Sequence, residues 1–219
     1  MRAPLNDLFF EPDRANTAEG LAALGLRRSP ITALVVPRPI GWISTLSRSG
    51  VANLAPFSFF NMVSQRPATV VFCANGSHAE GGDKDSLQNA RDTGEFVVNL
   101  ATWDLRHKMN DSSTTASRNV DEFAIAGLTK AVSRIVRPPR VAESPINLEC
   151  KVIKIVDLPG DDSTGSRNTA TFGKVVGVHI DARLIVDGII DVTKARPLAR
   201  LGYLDYATLS DVFVMPRPQ

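Results

Sequence analysis

Short apolar runs separated by glycine and proline are the feature that most constrains the fold of this chain. Its 219 residues include 15 glycines and 14 prolines, spread along the whole sequence. Between them lie runs such as GWISTLS (41–47) and ATVVFCA (68–74), which are rich in β-branched or aromatic residues. The apolar stretches, such as residues 33–36, are far shorter than the roughly 20 residues of a membrane-spanning helix. The pattern therefore predicts a β-rich domain that does not cross a membrane.

The order of the expected elements favours an antiparallel architecture. The expected strands lie at residues 31–36, 41–47, 51–64, 68–74, 95–101, 148–158 and 169–182. The expected helices lie at residues 13–28, at a segment capped by Asp83 or Asp85 and ended by Gly94, and at residues 103–110. Strands and helices do not alternate regularly, which argues against a doubly wound sheet. We expect a mainly β barrel or sandwich of six or seven strands with helices packed outside.

Charge and cysteine content exclude several classes of function. The chain carries 25 Lys and Arg against 23 Asp and Glu, a net charge of +2, which is too even for a surface built to bind nucleic acid. Cys73 and Cys150 are the two cysteines, too few for a disulfide framework or a zinc ribbon. The acidic N-terminal segment does not read as a secretory signal. We therefore expect a cytoplasmic protein.

The common catalytic and nucleotide-binding motifs are missing. The segment GDDSTGSR (160–167) lacks the lysine of a phosphate-binding P-loop, and no GxGxxG follows a strand. The His78-Ala79-Glu80 triplet has the spacing of a zinc deaminase motif, but no PCxxC follows it. We accordingly expect no metal site, and no catalytic residue is assigned.

An aromatic hairpin at residues 37–61 is the first candidate for ligand binding. It places the hydroxyl and amide groups of Ser44, Thr45, Asn53 and Ser58 among large apolar side chains. Such polar groups can hydrogen-bond a flat heteroaromatic ligand while the aromatic residues supply contact area. Pro56 interrupts the second strand and indicates a kink that exposes backbone amides. The alternative is an ordinary hairpin with aromatic core residues.

The second candidate is the segment GGDKDSL (81–87), where two glycines lead into a helix. Free N–H groups, the helix dipole, the Lys84 ammonium and the Ser86 hydroxyl meet at this point, as an anionic phosphate requires. The alternative is a capped helix with a solvated lysine. Taken together, the hairpin and the helix start favour a phosphorylated aromatic cofactor.

Several motifs resemble the flavin reductase-like family of FMN-binding split-barrel proteins. They are PRPIGWIST (37–45), NLAPFSFFN (53–61), KDSLQNARDTGEFVVNL (84–100), ESPINLEC (143–150) and PLARLGYLDYA (197–207). The similarity spans about residues 30–215, which divides the chain into an N-terminal extension with a short helix (1–30) and the family domain (31–219). Gly41 stands where alanine is frequent in the family, a change expected to leave the strand intact, and Ser86 replaces a common threonine.

The resemblance implies a six-stranded Greek-key split barrel that forms a homodimer with one FMN per subunit. By position, the ring system and ribityl chain of FMN would lie against Trp42, Ile43, Ser44, Thr45, Asn53, Ala55, Pro56, Phe57 and Ser58. The phosphate would lie at Lys84, Asp85 and Ser86.

The expected function is an FMN reductase that takes hydride from NADH or NADPH. Hydride transfer depends on stacking and orientation rather than on a protein acid or base. Two alternatives remain open: a non-catalytic FMN carrier or sensor, and an enzyme like pyridoxamine-phosphate oxidase, which shares the barrel. A partner monooxygenase is possible for a reductase of this type.

Overall fold

The computed structural model describes residues 8–15, 17–161, 165–209 and 211–218. Its helices are α1 (Pro12–Ala15), α2 (Ala18–Ala23), α3 (Ile31–Leu34), α4 (Asp85–Thr93), α5 (Arg106–Asp111), α6 (Glu122–Ile125) and α7 (Val192–Ala195), with a 3₁₀ turn at Ala182–Leu184. Within these described ranges, no helix is long and apolar enough to cross a membrane.

Strands carry most of the architecture. They are β1 (Arg38–Pro39), β2 (Gly41–Leu46), β3 (Ala52–Phe57), β4 (Phe60–Gln65), β5 (Ala68–Asn75), β6 (Glu95–Leu100), β7 (Lys130–Ala131), β8 (Arg140–Val141), β9 (Ile146–Asp161), β10 (Ser166–Ile180), β11 (Ile185–Val186), β12 (Ile189–Ile190), β13 (Leu198–Arg200) and β14 (Tyr206–Thr208). The principal sheet has the order β3-β2-β6-β9-β10-β5-β4, and all neighbours in it are antiparallel.

The principal sheet curls until its two flanks meet. Phe57 on β3 and Phe72 on β5 pack with ring centroids 5.1 Å apart, although four strands separate β3 from β5 in the sheet. In the described residues β3 and β4 do not pair with each other, so the barrel is split where residues 58 and 59 join them. The expected mainly β split barrel is confirmed. The principal sheet has seven strands rather than six because β4 adds to the edge of β5.

Two clusters of buried side chains stabilise the barrel. The first packs Trp42 of β2 against Met109 of α5 and Phe123 of α6. The second joins Phe72 of β5 to Leu87 of α4. Because apolar burial stabilises by about 25 cal/mol per Å², these aromatic contacts hold the peripheral helices against the sheet.

The strand predicted at residues 31–36 is wrong. Ile31–Leu34 form the single helical turn α3, and Leu34 and Val35 are each 67% exposed. Pro30 occupies the N-cap of this turn and Pro37 follows the segment. A proline is tolerated at the start of a helical turn, where its missing N–H would have no partner, and α3 begins directly after Pro30.

The helix predicted at residues 13–28 is shorter than expected and divided into α1 and α2. Gly25 has a left-handed φ of 71° immediately after the end of α2, and glycine is the residue that adopts this conformation without strain. Residue 16 and residues 1–7 of the expected extension lie outside the described residues. The helix predicted from residue 103 begins at Arg106, while the two long strands extend beyond the predicted bounds into the expected loop.

Helix α4 begins without the side-chain cap that its sequence predicts. Lys84 occupies the N-cap position and makes no capping hydrogen bond. Asp83 pairs instead with Arg91, at 2.9 Å, and Asp85 already lies inside the first turn. The helix ends as predicted, with Gly94 at a left-handed φ of 70°. The first backbone N–H groups of α4 are therefore not capped by a side chain of the N-cap residue.

A buried glutamate fixes the turn that precedes β8. Glu149 Oε1 accepts a hydrogen bond from the N–H of Arg134 at 2.8 Å, and Oε2 accepts from Ile135 and Val136 at 2.6 and 3.0 Å. His179 Nε2 lies 2.5 Å from Oε1. Burial alone would raise the pKa of Glu149, but these hydrogen bonds lower it to about 2. The ionised carboxylate therefore ties this turn to β9.

Gly41 on β2 leaves space that the ring of Phe60 fills. A Cβ atom at position 41 would lie 2.5 Å from Phe60 Cδ2, which is closer than real Cβ contacts allow. We expect Gly41→Ala to lower the free energy of unfolding by about 1–3 kcal/mol, the usual effect of overpacking a core. Urea unfolding measures the change, and the second substitution Phe60→Leu should restore part of the loss. An alanine variant as stable as the wild type would contradict this packing.

Candidate functional site

A cavity of ≈ 430 Å³ opens between β3 and β5, beside the start of α4. The rest of its wall comes from residues 58–59, from the loop at 77–79, from the segment 112–116 after α5 and from Glu122, the first residue of α6. It is lined by Asn53, Ala55, Pro56, Phe57, Ser58, Phe59, Cys73, Asn75, Ser77, His78, Ala79, Lys84, Asp85, Ser86, Ser112, Ser113, Thr114, Thr115, Ala116 and Glu122. The cavity thus brings the aromatic hairpin and the glycine-led helix start, predicted separately from the sequence, to one place.

The predicted residues of β3 and of the start of α4 line this cavity. They are Asn53, Ala55, Pro56, Phe57, Ser58, Lys84, Asp85 and Ser86. Pro56 lies within β3 opposite Trp42 of β2, so the predicted interruption of the strand does not break its pairing with β2. The side of β3 that faces away from β2 is an edge of the sheet, where a missing N–H is tolerated.

The predicted residues of β2 lie one layer behind the cavity. Trp42, Ile43, Ser44 and Thr45 are completely buried, and none of them lines the cavity. Trp42 Nε1 donates to Ser112 Oγ at 2.9 Å. Thr45 Oγ1 donates to Asn53 Oδ1 at 3.2 Å. Two of these residues therefore position groups that do face the cavity, rather than facing it themselves.

One end of the cavity has the properties of an anion site. The Lys84 side chain is half-buried, and burial lowers the pKa of its ammonium group. Among the described residues no carboxylate pairs with Lys84, whereas Asp83 and Asp85 each pair with an arginine. The N–H groups of the first turn of α4 and the Ser86 hydroxyl lie beside it. A half-buried cation next to a helix N-terminus fits a phosphate.

Two residues that the sequence did not single out as ligands hold the anion end in shape. Arg118 Nη1 binds Asp85 Oδ1 at 2.5 Å, and its Nη2 donates to the carbonyl oxygens of Gly81 and Asp83 at 2.6 and 3.0 Å. His78 lies in the same loop, and its Nε2 lies 3.1 Å from the carbonyl oxygen of Ala116. The loop before α4 is therefore fastened to the segment 116–118.

One part of the cavity wall is rich in hydroxyl residues. Residues 112–115, with the sequence SSTT, follow α5 and line the cavity. The sequence shows them only as a polar stretch, and four consecutive hydroxyl residues between two short helices are the signal that could have identified them. Cys73 of β5 completes this part of the wall, and burial raises the pKa of its thiol, which favours an unreactive group.

A chain of hydrogen bonds connects the anion end to β3. Ser86 Oγ donates to Asn53 Oδ1 at 2.7 Å. Asn53 Nδ2 donates to Glu122 Oε2 at 3.1 Å, and the N–H of Leu54 donates to the same oxygen at 3.0 Å. This network fixes the orientation of the Asn53 amide and couples the start of α4 to the buried carboxyl group of Glu122. Among the described residues, no cluster of three or more His, Cys, Asp or Glu could hold a metal ion.

The fold and the cavity define a class of protein: a split barrel with a cavity that has an anion-binding character at one end and aromatic and hydroxyl residues along its wall. The chain matches the model of the flavin reductase like domain over residues 33–189 and belongs to this family. The resemblance found in the sequence motifs is thereby confirmed, and the membership supports a flavin-related oxidoreductase function.

Individual proteins agree with this assignment. An uncharacterised protein of Halalkalibacterium halodurans is 36% identical over 186 residues, covering 84% of this chain and 87% of that protein. Nitrilotriacetate monooxygenase component B from Bacillus cereus is similar in structure, with a TM-score of 0.82 at 27% identity, covering 96% of this chain and 100% of that chain. A protein with a split barrel domain from Shewanella frigidimarina has a TM-score of 0.73 at 21% identity, covering 86% and 90% of the two chains.

Proposed function

We propose that this protein binds FMN and acts as an NAD(P)H-dependent FMN reductase. The observation that carries the proposal is the half-buried Lys84 ammonium at the start of α4, in one cavity with the wall of β3. The phosphate of FMN fits the anion end, where the Lys84 ammonium and the first N–H groups of α4 supply positive charge and hydrogen-bond donors. A ligand without an anionic group would leave that end unused.

The remaining cavity residues suit the rest of FMN. Residues 112–115 line the cavity, and the hydroxyl groups of Thr114 and Thr115 are available to hydrogen-bond the polar ribityl chain, whereas Ser112 and Ser113 donate to backbone carbonyl oxygens. Phe57 and Phe59 offer aromatic surface to the ring system. Bound FMN would supply the redox chemistry by accepting hydride from the nicotinamide, and the protein would position the ring and limit access of water.

The physiological role that we propose is to supply reduced flavin to a partner monooxygenase. The similarity to nitrilotriacetate monooxygenase component B, which covers the whole of that chain, supports this proposal.

We also propose that the family domain occupies residues 31–219, after an extension of residues 1–30. The match of the family model from residue 33 supports that division. The free thiols of Cys73 and Cys150 suit a cytoplasmic protein, as we propose.

The decisive experiment combines spectroscopy with an oxidation assay. Purified protein is titrated with FMN, and then NADH and NADPH oxidation is followed with FMN, FAD and riboflavin as acceptors. We expect FMN to bind and to support oxidation of at least one of the two nucleotides. Binding without oxidation would favour a carrier or sensor, and turnover of pyridoxamine phosphate would favour the oxidase-like alternative. Absence of FMN binding would overturn the proposal.

We further propose that the protein is a homodimer. Phe59, at the cavity, is 43% exposed, and Met62 and Val63 on the adjacent edge strand β4 are 53% and 50% exposed. A second subunit covering this apolar edge would shield both the strand and one side of the ligand. Sedimentation at micromolar concentration should give about twice the 23.7 kDa mass of one chain, and Val63→Glu should shift the protein towards the monomer. A monomeric wild type would contradict the proposal.

A further inference from the structure

The two oxygens of the Glu122 carboxyl group have different surroundings. Oε2 accepts both hydrogen bonds that neighbouring residues make to this group, from Asn53 Nδ2 and from the N–H of Leu54. Among the described residues, no other side chain or backbone group outside Glu122 hydrogen-bonds Oε1. Within the described part of the chain, Oε1 is not one of the completely buried polar atoms that lack a hydrogen-bond partner. Because Glu122 lines the cavity and both of these hydrogen bonds fall on Oε2, Oε1 is the oxygen that remains for a ligand.

The surroundings of Glu122 raise its pKa above the ordinary value of a glutamate. The residue is only 5% exposed. Burial raises the pKa of Glu122. The hydrogen bonds from the N–H of Leu54, from the N–H of Glu122 itself and from Asn53 oppose that rise, and the charge of Asp85 adds to it. A proton on Oε1 would leave Oε2 free to keep both of its hydrogen bonds.

The other charged and titratable groups around this carboxyl lie on several elements. They are Lys84 and Asp85 at the start of α4, His78 in the preceding loop, Cys73 on β5, Arg118 bound to Asp85, and Asp121 bound to Lys130. Lys84 is the cation of the cavity that no described carboxylate neutralises. A ring system that fills the cavity would displace water from the carboxyl group, and the ionised form of Glu122 would then lose solvation.

We propose that Glu122 holds a proton on Oε1 when the cavity is filled, and donates it as a hydrogen bond to a nitrogen or oxygen acceptor of the flavin ring. This inference rests on the proposed function. The reaction is the binding of flavin together with one proton, which adds to the carboxylate and makes it a carboxylic acid. An ionised carboxylate has only hydrogen-bond acceptors, so it could not hydrogen-bond an acceptor of the flavin ring. The protonated acid has an O–H group that can donate this hydrogen bond. Glu122 is thereby a residue that selects ligands with an acceptor at that edge.

Calorimetric titration with riboflavin tests the proposal. Heats of binding measured in buffers of different ionisation enthalpy give the number of protons taken up. Riboflavin is the cleaner probe because the FMN phosphate titrates near pH 6, and binding of its dianion would release protons. At pH values above the pKa of Glu122 in the free protein we expect uptake approaching one proton in the wild type and none with Glu122→Gln. The matched control is Glu80→Gln, an exposed residue of the loop before α4, which should behave as the wild type.

Each outcome bears on the proposal. Riboflavin binding by the wild type without proton uptake, or equal uptake by Glu122→Gln, would overturn the role of Glu122 and leave the proposed function standing. If neither riboflavin nor FMN binds, the proposed function fails as well. Should Glu122→Gln not fold, the wild type still decides. Its riboflavin affinity must fall as the pH rises through the pKa of Glu122, and an affinity independent of pH would overturn the proposal.

Discussion

Replacement of Lys84 by alanine should weaken FMN binding ten- to a hundredfold without affecting riboflavin. The ammonium group is half-buried beside the start of α4, and no described carboxylate pairs with it. A charge-assisted hydrogen bond to phosphate contributes about 1.5–3 kcal/mol, and about 1.4 kcal/mol corresponds to a factor of ten in Kd. Titration of both ligands by fluorescence quenching measures the effect.

The controls separate the charge of Lys84 from its general contribution to the fold. Lys84→Arg keeps the positive charge and should retain most of the FMN affinity. Lys154→Ala removes an exposed lysine of β9, far along the sheet from β3, and should change neither ligand. If Lys84→Ala weakened riboflavin as much as FMN, or left FMN unchanged, Lys84 would not be a phosphate ligand.

Replacement of Glu149 by glutamine should lower the free energy of unfolding at neutral pH by roughly 3 kcal/mol. Its pKa falls from 4.5 to about 2 in the folded protein, and each pKa unit corresponds to about 1.4 kcal/mol. Glutamine has only one acceptor oxygen, and its NH₂ group would face backbone N–H donors. Urea unfolding at about pH 7 measures the loss.

The sign of the pH dependence follows from the lowered pKa. Stability supplied by the Glu149 carboxylate is fully present above the unfolded pKa of 4.5 and is lost as the pH falls towards 2. The wild type should therefore lose stability over this range more steeply than Glu149→Gln. The matched control Glu143→Gln changes an exposed carboxylate that accepts only from the N–H of Thr129, and its effect should be small. Equal stability of wild type and Glu149→Gln would exclude this role.

The elements that could be predicted from the sequence are those whose local pattern agrees with their final surroundings. The strands β2, β5 and β6 alternate or are uniformly apolar because each lies inside the sheet, and Gly94 ends α4 by its own conformational preference. Residues 31–36 have the composition of a strand, but Ile31–Leu34 form a helical turn that begins after Pro30, and the segment does not join the sheet. In that segment the backbone geometry next to Pro30 outweighed the preference of the side chains for a strand.

The residues of the candidate site likewise divide into those that could be predicted from the sequence and those that could not. Lys84 and Ser86 could be predicted because a helix start and its charge are local features of the sequence. Glu122 and Arg118 could not, because their roles depend on contacts with residues more than thirty positions away, Leu54 and Asp85 respectively. The burial of Trp42 could not be predicted from the sequence either, because an aromatic side chain on a strand can face either a ligand or the core.

The order of strands in the sheet has a consequence for how the protein is made. All the residues that line the cavity lie between positions 53 and 122, yet β3 and β5 are brought together by way of β9 and β10, which end at Ile180. During synthesis the complete set of lining residues leaves the ribosome well before the hairpin that frames them. The nascent chain thus carries the described lining residues before the cavity exists, and a ligand can bind there only after the last third of the domain has been made.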